Sequence, residues 1–172
     1  MLFLRNTPTP STLTTDESQL LPSFNHSYTK ARMIGALLKL ESFSVFSELT
    51  LRIDGKNYTP DISLYPKLDV NLSLPDSVEI TEMPALAIEI LSQAHTIQEI
   101  LARFATYFSG VIKSCWLVVP IAGTVIVYES SEKAQRFTAG EIVDEQLGIQ
   151  VPLQDIFGEP VSPIVHQQSL LP

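Results

Sequence analysis

Cysteine is nearly absent from this chain: its 172 residues include only Cys115, so no intramolecular disulfide can form. Cys115 lies in an apolar segment, which favours a packed thiol over an activated nucleophile. No apolar run approaches the roughly 20 residues that cross a bilayer, so we expect no membrane partner. The N-terminus lacks the basic region, apolar core and cleavage site of a secretory signal, and a cytoplasmic location is expected.

Basic residues are also scarce. The chain has 11 Lys and Arg against 19 Asp and Glu, which gives a formal net charge of −8. Proteins that bind nucleic acid through its phosphates usually present a basic face, whereas here the basic residues are scattered. The charge therefore argues against strong DNA binding by a monomer, although a local patch, a dimer groove or a bridging metal ion would override it.

Several common catalytic motifs are missing. The 7 glycines do not form the Gly-rich loop that cradles phosphates, and there is no nucleophile elbow. His26, His95 and His166 do not have the spacing of metal ligands, which argues against a zinc site. His26 and His95 each stand at the start of a predicted helix, where helix capping or solvent exposure explains them.

The chain does contain enough apolar sequence for one folded domain. Apolar residues make up 45% of it, and this length can bury a substantial core. The N-terminal segment is rich in Pro, Ser and Thr. We predict a flexible arm at residues 1–22, a folded domain at residues 23–160 and a C-terminal tail at residues 161–172.

Hydrophobic periodicity predicts two helices and a mixed β-sheet. The helices span about Ser27–Glu41 and Thr96–Phe108, and Thr96 with Glu99 forms a capping-box pattern at the start of the second. Residues 66–84 read as a loop. The predicted strands are Ser44–Arg52, a strand carrying Asp61 after an Asp54-Gly55 hairpin turn, Leu86–Leu91, Ser114–Val119, Thr124–Tyr128, and a last strand or helical turn between Gly140 and Gly158. This order predicts the α/β or α+β class, with a mixed sheet flanked by helices.

One acidic residue stands inside an apolar strand. Glu89 interrupts the run Leu86–Leu91, and a carboxylate in a buried strand is seldom left without a partner or a metal. Asp61 opens another predicted strand. Two acids at neighbouring strand ends suit Mg²⁺ or Mn²⁺, which prefer oxygen ligands and need only one or two carboxylates. The alternatives are a Glu89 paired to an arginine or a backbone amide, and an Asp61 that is only a polar strand start after Pro60.

Other charged residues are candidates for assisting roles. Arg103, on the second predicted helix, is a cation that could reach the carboxyl end of the Glu89 strand. It lies four residues after Glu99, so a surface ion pair explains it equally well. Glu99 and Glu48 are acids that could assist, but a helix cap explains Glu99 and solvent exposure explains Glu48.

In these segments the sequence resembles the Uma2 (DUF820) family. The resemblance is carried by Pro60-Asp61, by Ala87-Ile88-Glu89-Ile90-Leu91-Ser92 and by the stretch from Tyr107 to Cys115-Trp116-Leu117-Val118-Val119-Pro120. It spans about His26 to Phe157 and is most specific in the Cys115–Pro120 block. The family is abundant in cyanobacteria and has a restriction-endonuclease-like fold of the PD-(D/E)xK type. The resemblance implies a nuclease-like core in which Asp61 and Glu89 hold Mg²⁺ or Mn²⁺.

The resemblance also implies that the usual catalytic lysine has moved into the helix after the Glu89 strand, and there this chain has Arg103. Arginine stays protonated, so Arg103 could bind a phosphate but could not act as a base. Lys113 lies too far along the chain for a simple replacement. Two hypotheses follow: a Mg²⁺-dependent endonuclease acting on DNA, with Asp61, Glu89, Arg103 and Glu99 as site residues, and a non-catalytic homodimeric interaction module with the same fold.

Overall fold

The computed structural model describes residues 23–73 and 79–159. The predicted arm at residues 1–22 and the predicted tail at residues 161–172, with His166, lie outside the described residues. None of the described helices is long and apolar enough to cross a membrane. The helices are α1 Phe24–Leu37, α2 Ile97–Ser109 and α3 Leu153–Phe157; the strands are β1 Phe43–Ser47, β2 Thr50–Ile53, β3 Lys56–Tyr58, β4 Ile62–Pro66, β5 Glu79–Ile80, β6 Leu86–Ile90, β7 Ser114–Val119, β8 Thr124–Tyr128, β9 Ala134–Phe137, β10 Glu141–Asp144 and β11 Ile149–Pro152.

A six-stranded mixed sheet forms the centre of the molecule, in the order β1-β4-β6-β7-β8-β9. Strands β6 and β7 run parallel, with Ile88 opposite Trp116, and every other pair in this sheet is antiparallel. The parallel pair requires a crossover connection, and α2 supplies it. The predicted class, a mixed sheet flanked by helices, is confirmed.

Each face of the sheet has its own hydrophobic core. On one face, α1, α3 and the β10–β11 hairpin pack against residues such as Ile62, Ile88 and Trp116. On the other face, α2 and strand β2 pack against Ala87 and Leu117. Side chains alternate between the two faces along a strand, and both faces of β6 are buried. This explains why the residues of β6 on either side of Glu89 are apolar.

The predicted single strand over Ser44–Arg52 is wrong. It is divided into β1 and β2, which belong to different sheets. Glu48 lies between them with a φ of 55°, in the left-handed region that ends regular strand geometry. The Asp54-Gly55 hairpin turn is confirmed: both residues have positive φ, and the turn joins β2 to β3. The predicted strand carrying Asp61 after this turn is wrong in detail, because the separate strand β3 follows the turn and Asp61 lies just before β4 in another sheet.

Other element predictions hold with shifted or added pieces. The two long helices, the strands β7 and β8 and the Thr96–Glu99 capping box are confirmed. Helix α1 begins earlier than predicted, at Phe24, because Ser23 caps it by accepting from the backbone N–H of His26. The predicted loop over residues 66–84 contains the short β5, which pairs with β2. Strand β9 was not predicted, and the Gly140–Gly158 segment holds two strands and a helix.

Candidate functional site

Asp61 lies immediately before β4, beside the end of β6 and the first turns of α1. Its Oδ1 is 2.9 Å from Nε2 of His26 and 3.2 Å from Nζ of Lys30, both on α1. Its Oδ2 accepts a 2.8 Å hydrogen bond from the backbone N–H of Ile90, at the end of β6. Three donors from two different elements therefore fix this carboxylate in place.

Lys30 connects Asp61 to a second acid. Its Nζ is 2.7 Å from Oε1 of Glu48, in the turn between β1 and β2. The Lys30 side chain is only 13% exposed, whereas that of Glu48 is 65% exposed. The backbone N–H of Glu48 also donates to the carbonyl oxygen of Asp61. Glu48 is thus joined to the site through Lys30, although its carboxylate is largely in solvent as predicted.

Glu89 is the buried acid of the site, with 3% of its surface exposed. The hydroxyl of Tyr107 on α2 donates a 2.7 Å hydrogen bond to Oε1 of Glu89. Arg103, one helical turn earlier, approaches Oε2 at 3.4 Å. Residues four apart lie on the same face of a helix, so Arg103 and Tyr107 each contact one oxygen of the same carboxylate.

Asp61 and Glu89 are brought together by the pairing of β4 with β6. Ile62 lies opposite Ile88 in this antiparallel pair, so Asp61, the residue before β4, lies beside the end of β6, where the Ile90 N–H donates to its carboxylate. Asp61 is contacted from α1 and Glu89 from α2, and the two acids are close enough for their charges to interact. Burial raises the pKa of Glu89 to about 7; the Tyr107 hydroxyl and the Arg103 charge oppose the rise, and the negative charge of Asp61 adds to it.

The pKa of Asp61 moves the other way. Burial alone would raise it, but hydrogen bonds from His26 and the Ile90 amide, with the nearby charges of His26 and Lys30, leave it below its usual value. Burial, Glu89 and the hydrogen bond to Glu89 raise the pKa of Tyr107, so its hydroxyl is a donor. Near neutral pH the carboxylate of Asp61 is therefore ionised, whereas that of Glu89 is protonated in part of the molecules.

Arg103 also contacts a histidine. Its second terminal nitrogen is 3.0 Å from Nε2 of His95, in the loop before α2. Burial and the positive charge of Arg103 lower the pKa of His95. A neutral His95 with its proton on Nδ1 can accept a hydrogen bond from Arg103 at Nε2. Arg103 therefore directs its guanidinium to Glu89 and His95, not outward along the helix to Glu99.

The other predicted candidates lie apart from this cluster or serve the fold. Glu99 accepts from the backbone N–H and the hydroxyl of Thr96, the arrangement of a helix cap. Lys113 is exposed in the turn before β7. Cys115 is buried within β7, and burial raises the pKa of its thiol well above the usual range, as expected for a packed cysteine.

Three residues of the cluster were missed or undervalued by the sequence analysis. His26 and Lys30 are four positions apart on α1, and Tyr107 is four positions after Arg103 on α2. This spacing marks one helix face, but it does not reveal which sheet edge that face meets. His26 was assigned to capping, yet its Nε2 meets Asp61 while its buried Nδ1 has no partner among the described residues.

The donor set is compatible with a hard divalent cation. Within residues 23–73 and 79–159, no group of three or more His, Cys, Asp or Glu side chains is arranged to hold a metal. Mg²⁺ and Mn²⁺ can be held by two carboxylates and several waters. Oδ2 of Asp61 and both oxygens of Glu89 each accept one protein donor, so each retains a lone pair. A cation there would also relieve the repulsion between the two acids.

The mixed sheet with flanking helices, in which α2 connects the parallel pair β6 and β7, is the class of fold that the chain shares with a solved relative described as a nuclease. The Uma2 family model, described as "putative restriction endonuclease", matches residues 19–156. The chain therefore belongs to the Uma2 family.

A solved structure with the same fold comes from Anabaena variabilis. It is described as a "putative nuclease belonging to DUF820" and is 18% identical, with a TM-score of 0.64 over 80% of this chain and 82% of that one. The cryo-EM structure of a DrdV–DNA complex is 10% identical, with a TM-score of 0.36 over 64% of this chain and 12% of that one. The second likeness is too weak to carry an argument. No curated protein matches the sequence.

Proposed function

We propose that this chain is a Mg²⁺- or Mn²⁺-dependent endonuclease that hydrolyses phosphodiester bonds of DNA. The observation that supports the proposal is that Asp61 and Glu89 lie at neighbouring strand ends, close enough for the charge of Asp61 to act on Glu89, and that the cations Lys30 and Arg103 pair with them. The family is described as "putative restriction endonuclease", and restriction endonucleases act on DNA, which supports DNA as the substrate class. The acidic net charge of −8 implies that binding relies on the local cations and on a metal bridging to phosphate.

The proposed reaction is the attack of water on phosphorus. A new P–O bond forms to the water oxygen and the bond from phosphorus to one sugar oxygen breaks. The departing sugar oxygen takes up one proton of the water through solvent and becomes a hydroxyl, the other proton is released to solvent, and the other product keeps the phosphate. Asp61 and Glu89 would hold the divalent ion, which supplies a Lewis acid for the phosphate oxygens. This assignment needs both carboxylates ionised, and a bound cation favours that state in Glu89.

The protein groups around the acids keep them in position. His26 and the Ile90 amide orient Asp61, and Tyr107 with Arg103 orients Glu89. Arg103 stands at the position where the family resemblance implies a lysine. Because its guanidinium does not lose a proton, we assign it to charge stabilisation and not to proton transfer. Glu99 is proposed only as an assisting acid, since Thr96 already engages its carboxylate.

A metal titration tests the proposal. We expect Mn²⁺ to bind the wild type measurably by calorimetry, and to bind neither Asp61→Ala nor Glu89→Gln. The matched control is Asp155→Asn. Asp155 lies on α3, pairs with Lys39 and is not part of the cluster. Plasmid cleavage should require Mn²⁺ or Mg²⁺ and should disappear in the same two variants. A wild type that neither binds Mn²⁺ nor cleaves DNA would contradict the proposal.

A non-catalytic homodimeric module is the second candidate. The observation that favours it is that all four oxygens of Asp61 and Glu89 accept protein donors, so the acids are satisfied without a ligand. Sedimentation with the same metal titration separates the two candidates. A stable dimer without metal binding or cleavage favours the module, whereas cleavage by wild type excludes it.

A further inference from the structure

We propose that Lys30, and not Arg103, is the cation that contacts the phosphate of the substrate. The inference rests on the proposed function and adds a catalytic residue to it. The sequence analysis placed this role on Arg103, at the position that follows the Glu89 strand. In the structure a lysine from α1 reaches the same group of acids, with Nζ at 3.2 Å from Oδ1 of Asp61.

Lys30 is a largely buried lysine whose two acidic partners do not depend on it for their hydrogen bonds or hydration. Lysine is almost never buried unless it is paired, and the side chain of Lys30 is only 13% exposed. Asp61 already accepts from His26 and from the Ile90 amide, and Glu48 is well hydrated. Neither acid would be left unsatisfied without Lys30. The ion pair with the exposed Glu48 contributes little to stability, and Asp61 is already held by two other donors when Lys30 pairs with it.

Within the part of the chain that the structure describes, the ammonium group of Lys30 also has an unused hydrogen-bond donor. An ammonium carries three N–H donors, and Lys30 spends two of them on Asp61 and Glu48. No third acceptor is found among residues 23–73 and 79–159. The remaining donor is available for an oxygen of an anion bound at Asp61. If Asp61 holds a metal that binds the substrate, a phosphodiester oxygen of that substrate is the acceptor that fits this donor.

Arg103, in contrast, directs both of its terminal nitrogens to protein groups. One of its terminal nitrogens faces Glu89 and the other faces His95. The positive charge of Arg103 offsets the cost of burying the ionised carboxylate of Glu89. If Arg103 turned away to bind a phosphate, that carboxylate would remain buried without a paired charge. We therefore assign Arg103 to positioning Glu89 and Lys30 to the phosphate.

Glu48 supports this division of roles as a positioning residue. It has a φ of 55°, a region that non-glycine residues seldom occupy. This backbone geometry sets Glu48 at the turn where its carboxylate meets Lys30 and its N–H meets the carbonyl of Asp61. The strained residue therefore orients the ammonium toward the site.

The experiment measures DNA cleavage and DNA binding in the same set of variants. Lys30→Met and Lys30→Gln remove the charge, and Gln retains donors for Asp61 and Glu48. Lys30→Arg retains the charge. The matched control is Lys39→Met, because Lys39 is 69% exposed and pairs with Asp155. Thermal unfolding reports whether each variant is folded. Binding is followed by the anisotropy of a labelled duplex oligonucleotide with Ca²⁺, which also takes oxygen ligands, in place of Mn²⁺, over a series of salt concentrations.

If Lys30 contacts the phosphate, Met and Gln lower Mn²⁺-dependent cleavage by roughly 100-fold, the effect of losing one charge-stabilising donor. The slope of log affinity against log salt also falls by about 0.9, the value for one lost contact to duplex DNA. Lys30→Arg keeps the slope. A purely structural lysine would change unfolding but not this slope.

The outcomes separate the two claims. If the wild type cleaves and the Lys30 variants behave like Lys39→Met in rate and slope, the inference is wrong and the proposed function stands. If no metal supports cleavage but the slope still falls in Lys30→Gln, Lys30 contacts phosphate and the proposed function fails. If the wild type neither cleaves nor binds the oligonucleotide, both are wrong.

Discussion

The hydroxyl of Tyr107 and a carboxylate oxygen of Glu89 meet at 2.7 Å in the interior of the protein. Eighteen residues separate them along the chain, and the β6–α2 connection brings them together. The contact joins a core aromatic ring, which also packs against Phe104, to a residue of the candidate site. Through it, the stability of the core and the ionisation of Glu89 are physically linked.

Tyr107→Phe should therefore destabilise the protein more at pH 8 than at pH 5. The hydrogen bond favours the ionised form of Glu89, which predominates above its pKa of about 7. We expect a loss of about 1–3 kcal/mol in urea unfolding at pH 8 and less at pH 5. Tyr128→Phe is the control, because its ring also packs on Phe104 and it lies outside the site. Equal losses at both pH values would show that the hydroxyl does not sense the charge of Glu89.

Glu89 should also make stability fall as pH rises from about 4.5 to about 7. Its pKa is raised to about 7 in the folded protein against a usual value of 4.5, so the folded state binds more protons than the unfolded state in this range. The upper limit of the effect is about 3 kcal/mol. The lowered pKa of Asp61 acts below pH 3.8, where its stabilising contribution is lost as the acid is protonated, and so outside this window.

Glu89→Gln provides the test of that slope. The amide does not ionise, so its free energy of unfolding should vary less than that of the wild type between pH 4.5 and 7. Chemical denaturation at four or five pH values across the range is sufficient. An unchanged slope in the variant would mean that another group is responsible.

Asp144 is predicted to be a structural carboxylate. It is fully buried in β10, and its Oδ2 accepts from the hydroxyl of Ser114 at 2.6 Å and the indole N–H of Trp116 at 2.9 Å. Its Oδ1 accepts from the backbone N–H of Leu147. In Asp144→Asn the amide NH₂ group faces either that donor or the two donors at Oδ2, and we expect a loss of about 1–3 kcal/mol. Trp116 is the only tryptophan, so its fluorescence reports the change directly. Ser114→Ala, which removes one donor and leaves Trp116 paired, should cost less.

The elements that the sequence predicted well are those specified by local pattern. Strands β7 and β8 are continuous apolar runs, and the start of α2 is marked by Thr96 and Glu99 within one turn. Asp61 and Glu89 stand out in the sequence because an acid in or beside an apolar strand is unusual in itself, and their role as metal ligands stays a prediction. These signals lie within a few residues of one another, so no knowledge of the tertiary structure is needed to detect them.

The rest depends on contacts between distant segments. The break at Glu48 follows from its backbone conformation and its contact with Lys30, which lies 18 residues earlier. The partners of Arg103 could not be distinguished by spacing, since Glu99 and Glu89 were both candidates and only the placement of α2 against β6 decides between them. Lys30 carried no local mark at all, because a lysine on an amphipathic helix ordinarily faces solvent.

The last prediction separates capping from catalysis at Glu99. Its carboxylate accepts from Thr96, and the Thr96 hydroxyl accepts in turn from the Glu99 backbone N–H. Thr96→Ala should cost about 0.5–2 kcal/mol in unfolding free energy because one side of this reciprocal cap is lost. Glu99→Gln preserves the pattern of the cap, so it should leave stability nearly unchanged while removing the charge. If Glu99 is only a cap, Glu99→Gln also keeps the wild-type rate of DNA cleavage; a rate loss at unchanged stability would instead place Glu99 in the site.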